Sequence, residues 1–314
     1  MEWYYWLIIV IAVMLLIGQF IGSFIGFKYI IPMKPQSDSL LDRDLPNTHF
    51  GKYEGLIRES FDFLEKLDKK DLYITSRDGL KLHGCYIDNN SSTTVVFTHG
   101  YRSRPFNDFS LPMKKMYLEG YNIFYLDQRC HGESEGKYVS FGIKERLDLV
   151  DWVNLINETY KPTNIVLYGM SMGCATTSMS LPLMPNNVRS AVLDCGFSSI
   201  FKLMVIQTRK MIKVNAVLSV IVMDLYCRLF AGFSMFKTSA KCSLRKTSIP
   251  CFFIHGKTDS VVPFKHGVEN YKSGKMYKEY AFVEGAEHGI SYLVANPDLE
   301  KKIVDFVSNT ILNK

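Results

Sequence analysis

Five residues, Gly169-Met170-Ser171-Met172-Gly173, limit the fold of this chain more than any other stretch. They follow the apolar run Ile165-Val166-Leu167-Tyr168 and precede the small residues Cys174-Ala175-Thr176-Thr177-Ser178. Strand, Gly-x-Ser-x-Gly and helix in that order define a nucleophile elbow, a turn so tight that only glycine fits beside the strand and helix it joins. Such a turn lifts the Ser171 hydroxyl above a sheet edge and points the positive end of the following helix at it. The Met172 backbone N–H, one residue on, is then a candidate oxyanion donor.

The elbow needs a parallel sheet around it, and the rest of the chain supplies the pattern. Strands are expected at 94–98, 122–127, 164–168, 190–194, 250–255 and 278–283, with helices at about 107–119, 141–158, 172–181, 264–273 and 290–311. Alternation of this kind predicts an α/β fold, a mostly parallel sheet with helices on both faces. Ahead of it, residues 72–75 and 80–87 flank Arg77-Asp78-Gly79 as a hairpin, and Leu56, Phe61, Leu64 and Leu67 give 52–70 a helical apolar stripe.

A serine hydroxyl becomes a nucleophile only when a base takes its proton and an acid orients that base. After an elbow serine the partners come in the order acid, then histidine. Asp259 stands in Thr258-Asp259-Ser260-Val261-Val262-Pro263 just past one predicted strand, and His288 in Ala286-Glu287-His288-Gly289 just past the next. Asp194 also ends a strand and competes with Asp259 for the acid's role; His255 precedes the acid and is expected to be structural. A second oxyanion donor is expected from the loop Thr98-His99-Gly100-Tyr101-Arg102-Ser103, at the Tyr101 N–H.

With these residues in hand, the stretch from about 72 to 310 resembles the α/β-hydrolase superfamily, and more narrowly its bacterial single-span, serine-aminopeptidase-like members. The resemblance rests on His99-Gly100, Asp127-Gln128-Arg129-Cys130-His131-Gly132-Glu133-Ser134, Gly169-x-Ser171-x-Gly173, Asp259-x-Val261-x-Pro263 and His288. It implies that the loop carrying His131 braces the active site. A serine at the elbow, where dehalogenase and epoxide-hydrolase relatives carry aspartate, leaves acyl transfer as the chemistry. The family likeness does not choose among ester, thioester and peptide substrates, nor does it exclude a silent, membrane-tethered binding module.

The amino-terminal end has a different composition. Trp6 to Phe27 is 22 residues without a charge, where a bilayer crossing needs about 20. Trp3, Tyr4, Tyr5 and Trp6 crowd one end, and Lys28 with Tyr29 closes the other, as interfacial anchors do. The segment lacks the basic start and small-residue cleavage site of a signal peptide. It predicts an anchor over 1–28, a Pro-containing linker over 29–51 and a catalytic domain over 52–314. Gly18, Gly22 and Gly26 lie four apart, a spacing through which two spans can pair into a homodimer. Lys28, Lys34 and Arg43 follow the span and no basic residue precedes it, which favours a cytoplasmic catalytic domain. Seven cysteines without a Cys-x-x-Cys pair fit that side and form no zinc pattern.

Between the strands ending at Asp194 and beginning near Pro250 lies an insertion, at about 198–248, expected to form a helical lid. Phe201, Leu203, Met204, Met211, Val222 and Met223 are its candidate acyl-pocket residues. It holds nine basic residues and one acid, Asp224, against a net charge of +6 for the whole chain. A basic, apolar lid suits anionic headgroups and suits poorly a substrate with a free ammonium. No dinucleotide, P-loop, metal or nucleic-acid signature is present, so no cofactor, metal or nucleic-acid partner is expected.

Overall fold

The computed structural model describes residues 2–33, 50–211 and 215–312. Eight strands form one sheet in the order β1-β2-β4-β3-β5-β6-β7-β8. β1 (Lys70–Thr75) and β2 (Lys81–Ile87) are the expected hairpin, and β2 runs antiparallel to β4 (Asn122–Leu126). β3 (Thr93–Thr98), β4, β5 (Asn164–Met170), β6 (Val188–Asp194), β7 (Cys251–Gly256) and β8 (Lys278–Val283) are parallel. β3, β5 and β7 are buried throughout, as strands covered on both faces must be.

The strand order reverses between β3 and β5, which lie side by side. At such a switch point the loops leaving the two strands diverge to opposite faces and open a crevice at the carboxyl edge. The Tyr101 loop leaves β3 there, and Ser171 leaves β5.

Helices α2 (Glu54–Glu65), α3 (Pro105–Leu118), α4 (Glu145–Thr159), α5 (Met172–Ser180) and α9 (Lys265–Ser273) match expectation within a turn or so, although α2 is shorter than the 52–70 stripe. The single helix expected over 290–311 is two, α10 (Ser291–Val294) and α11 (Asp298–Leu312), interrupted at Asn296-Pro297. Proline disfavours helical backbone at the residue before it and has no N–H to continue a helix. The insertion forms α6 (Ile200–Met211), α7 (Ala216–Tyr226), a π-helical turn (Cys227–Ala231) and the short α8 (Ala240–Leu244).

α1 (Trp3–Ile30) is long and apolar enough to cross a membrane, and only its carboxyl-terminal part meets the rest of the protein. The division at residue 28 needs correcting. Phe27, Ile31 and Met33 are buried in one apolar cluster with Phe141, Met179 and Met223. Met33 N donates to Lys137 O and Val139 N to Ile31 O, so residues 31–33 run along 137–139 as a short edge. The start of the expected linker is therefore part of the catalytic domain's core. Hydropathy alone cannot separate apolar residues that face lipid from those that face protein, and Phe27, Ile31 and Met33 are of the second kind. The expected linker residues 34–49 lie outside the described residues.

Candidate active site

Ser171 has φ 55° and ψ −115°, a backbone that non-glycine residues adopt only when their surroundings enforce it. Ser171 N–H donates to Asp194 O at 2.8 Å, and Ser171 O accepts from Ala175 N–H at 3.1 Å, which pins the turn from both sides. The flanking glycines are sterically required. A Cβ on Gly173 would sit 1.8 Å from Thr98 O, and one on Gly169 2.5 Å from Gly173 O.

His288 joins the serine to an acid. Its Nε2 lies 2.8 Å from Ser171 Oγ and its Nδ1 2.7 Å from Asp259 Oδ2. The carboxylate makes Nδ1 the donor, which leaves Nε2 as acceptor for the serine proton. The other Asp259 oxygen accepts from the Val261 and Val262 N–H groups at 2.9 and 2.7 Å. Burial alone would raise the Asp259 pKa, but hydrogen bonding from His255 and His288, with the Val262 N–H, holds it well below the usual carboxylate range. The two loops that deliver Asp259 and His288 are stapled together. Thr258 Oγ1 donates to Ala286 O at 2.8 Å, and Ser260 N–H and Oγ both reach Glu287 Oε2.

Asp194 is fully buried, and among the described residues neither of its carboxylate oxygens has a hydrogen-bond partner. Burial pushes it up to about 6. It contributes its backbone carbonyl to the elbow and leaves the histidine to Asp259. His255 is structural, as expected: buried on β7, with Nε2 donating to Val262 O at 2.8 Å.

The loop after β3 is braced by hydrogen bonds on both sides of Tyr101. Gly100 N–H donates to Asp108 Oδ2 at 2.6 Å, and Arg102 N–H to His131 Nε2 at 3.0 Å. The Tyr101 N–H between them has no acceptor among the described residues. Met172 opens α5, and a first-turn N–H has no partner inside its own helix. Both expected oxyanion donors are thus unspent. His131 Nδ1 donates to Arg129 O, and burial pushes this histidine down to about 3, so it stays a neutral brace.

Two bracing residues escaped the sequence reading. Asp108, on α3, also accepts from Ser103 Oγ at 2.5 Å, tying both ends of the Tyr101 loop to one carboxylate. Gln128 donates from Nε2 to His99 O and accepts from Thr176 Oγ1 at 2.9 Å, linking that loop to α5. The signal for Asp108 was an acid in the first turn after Pro105, ordinary enough at a helix start to pass unnoticed.

The carboxyl-terminal end of α1 also reaches the site. Tyr101 Oη donates to Ile30 O at 2.8 Å, and Arg102 Nη2 to Tyr29 O at 3.0 Å. Met172 belongs to the same apolar cluster as Phe27 and the insertion residues Leu203, Met204 and Met223. Val222 is buried as well, Phe201 packs on the Phe236 ring, and Met211 is 74% exposed and lines nothing. Of the insertion's basic residues, Lys202 pairs with Glu269, Arg228 with Asp224, and Lys210 donates to Ser260 O. Lys213 lies outside the described residues. Gly26 faces Met223 of α7, while a Cβ on Gly18 or Gly22 would meet nothing within 4 Å.

Donor atoms of Cys195, Asp259 and His288 fall within 4.8 Å of one another. Two of these groups are engaged in the serine relay. Burial holds the Cys195 thiol far above its ordinary pKa, which disfavours the thiolate a metal would need.

Residues 89–229 match a family model described as "Serine aminopeptidase, S33". Over 89% of its length the chain superposes on 98% of the Pyrococcus furiosus esterase Pf2001, at a TM-score of 0.66 and 25% identity. The chain has the α/β-hydrolase fold. It is 24% identical to the uncharacterized protein YqkD of Bacillus subtilis (strain 168), over 96% of this chain and 97% of that one. Human alpha/beta hydrolase domain-containing protein 17C is 28% identical over 71% of this chain and 60% of its own length. In this fold, elbow, acid loop and histidine loop all leave the same edge of the sheet.

Proposed function

We propose that this α/β hydrolase is a membrane-anchored serine hydrolase that cleaves carboxylic esters of lipid-like acyl groups. Ser171 Oγ attacks the ester carbonyl while His288 Nε2 takes its proton, and Asp259 stabilises the imidazolium that results. The Tyr101 and Met172 N–H groups receive the oxyanion. His288 then protonates the leaving alkoxide, which departs as alcohol and leaves an acyl-Ser171. Water, deprotonated by His288, releases the carboxylic acid. The observation that carries the reading is the continuous relay of 2.8 and 2.7 Å from a backbone-strained serine to a carboxylate.

Three features support an ester over an aminoacyl amide. Pf2001, similar over nearly the whole fold, is named an esterase. The lid's one acid, Asp224, is consumed by Arg228, Ser234 and the Met235 N–H, so it offers no carboxylate to a substrate ammonium. The lid cluster that includes Met172 is apolar. The description of the matched family keeps serine peptidase as the second reading. α1 serves as the anchor, and Lys28, Lys34 and Arg43 favour a cytoplasmic domain.

The test is a panel of p-nitrophenyl esters of rising chain length beside aminoacyl p-nitroanilides. Ester turnover that grows with chain length is expected. Anilide turnover above ester turnover would overturn the ester assignment.

A further inference from the structure

Helices on the surface of a protein in water expose charge. α2 exposes Arg58, Glu59, Asp62 and Glu65, and α11 exposes Lys301, Lys302 and Asp305. α7 does the opposite. Its exposed residues are Val217, Leu218, Ile221 and Leu225, at 36–46% exposure, and they repeat along one helical face. The π-helical turn extends that face with Leu229 and Phe230, at 65% and 52%, beside Arg228, whose exposed guanidinium is paired with Asp224. The one charged side chain of α7, Asp224, points inward and is 2% exposed. A contiguous apolar surface of this kind marks a contact with something other than water.

What covers it follows from its neighbour. α7 packs along the carboxyl-terminal half of α1, where Tyr226 Oη donates to Phe20 O and the Phe24 ring meets Tyr226 edge-on at 5.2 Å. At 1.5 Å per residue the apolar run Trp6–Phe27 is about 33 Å long, and the stretch beside α7, Gln19–Phe27, is its last 12 Å or so. α7 is therefore level with one end of the apolar span rather than beyond it. The polar groups between the two helices agree. Gln19 Nε2 donates to Ser219 Oγ at 2.6 Å, and Ser23 Oγ to Gln19 O at 2.8 Å. Polar side chains of a helix in hydrocarbon turn towards a partner helix and satisfy one another there.

We propose that α7 and the Leu229-Phe230 turn lie in the hydrocarbon of one bilayer leaflet beside α1, a second membrane contact built from the lid itself. The inference rests on the reading of α1 as a membrane span. It seats the catalytic domain on the bilayer at two elements. The inner side of the same helical layer joins the apolar cluster containing Met172, so lipid and active site lie on opposite faces of the lid.

The test uses the full chain in phosphatidylcholine nanodiscs, with Cys242, the exposed thiol, replaced by serine. Single cysteines are introduced as Ile221→Cys on α7, Ile11→Cys on α1 and Lys302→Cys on α11, and each is labelled with a fluorophore. Lipids carrying a nitroxide on the acyl chain should quench the probes at 221 and 11 to within about twofold of each other and leave the probe at 302 unchanged. Quenching at 11 with none at 221 would overturn the lid's insertion while sparing the anchor. Absence of quenching at both would overturn the two together. Disulfide-linked dimers through position 221, without lipid quenching, would show that a second copy covers the face, and would also overturn the proposal.

Discussion

The two sides of Ser171 are built by different physics. On the sheet side, His99, Asp108, Gln128, His131 and Asp259 are each fixed by directional hydrogen bonds, and the loops they hold have little freedom left. On the side of α1 and the insertion, Phe27, Met204, Met223 and Phe233 fill space with apolar volume and few polar constraints. Directional bonds set positions to fractions of an ångström, as a proton relay requires. Apolar packing sets stability and tolerates volume-conserving changes of shape. Changes on the first side should alter rate with the fold intact, and changes on the second should alter stability or location with the relay intact.

The largest contrast should come from Ser171→Ala, which we expect to lower ester turnover by at least about 10³-fold while thermal unfolding stays near that of the parent. A collapse of stability instead would mean that the elbow is a packing element first.

Next come the two acids. Asp259→Asn should cost about 10²–10⁴-fold in kcat by spoiling the histidine tautomer. Asp194→Asn should leave kcat within about tenfold, since Asp194 makes no bond to His288. The reverse ranking, measured by steady-state kinetics, would transfer the acid's role to Asp194.

A smaller effect sharpens the apolar side. Phe27→Ala should destabilise the protein by about 3–5 kcal/mol, as loss of a buried phenylalanine does. Ile11→Ala, at an exposed position of the same helix, should leave domain unfolding unchanged. Equal effects would return residue 27 to the anchor alone.

The smallest effect concerns pH. The folded protein keeps a proton on Asp194 up to about 6, above the ordinary value of 3.8. Between those values the folded state binds more protons than the unfolded one, so this group's contribution to stability declines as pH rises through that window. Asp194→Asn removes that decline. Its stability relative to the parent should improve from pH 4 to pH 8 by up to about 3 kcal/mol, the equivalent of a shift of roughly two units. A difference independent of pH, in denaturant titrations at both values, would show that Asp194 is ionised throughout.

Much of this division was legible in the sequence, unevenly. The strands were readable because both faces of the sheet are covered, so Val95, Val96 and Phe97 or Phe252, Phe253 and Ile254 form unbroken apolar runs. Ser171 and Asp259 were readable because each stands within a few residues of such a run, and His288 because it lies in the loop after the next strand. The bracing carboxylate Asp108 was not, since its partners, the Gly100 N–H and the Ser103 hydroxyl, lie in the preceding loop and only its fold brings them together. The packing of Phe27, Ile31 and Met33 was hidden for another reason: lipid and protein interior select the same side chains. The outward face of α7 was hidden because its residues look like core until their exposure is known.

The central claim is that Ser171 is a nucleophile activated by His288. The most direct measurement is treatment of the full chain with a fluorophosphonate, followed by mass spectrometry of the peptide containing residues 169–173. We predict a single covalent adduct on Ser171 that forms in step with the loss of ester turnover and is absent from Ser171→Ala. An unmodified Ser171 in a protein that still turns over ester, or loss of turnover through an adduct elsewhere, would contradict it.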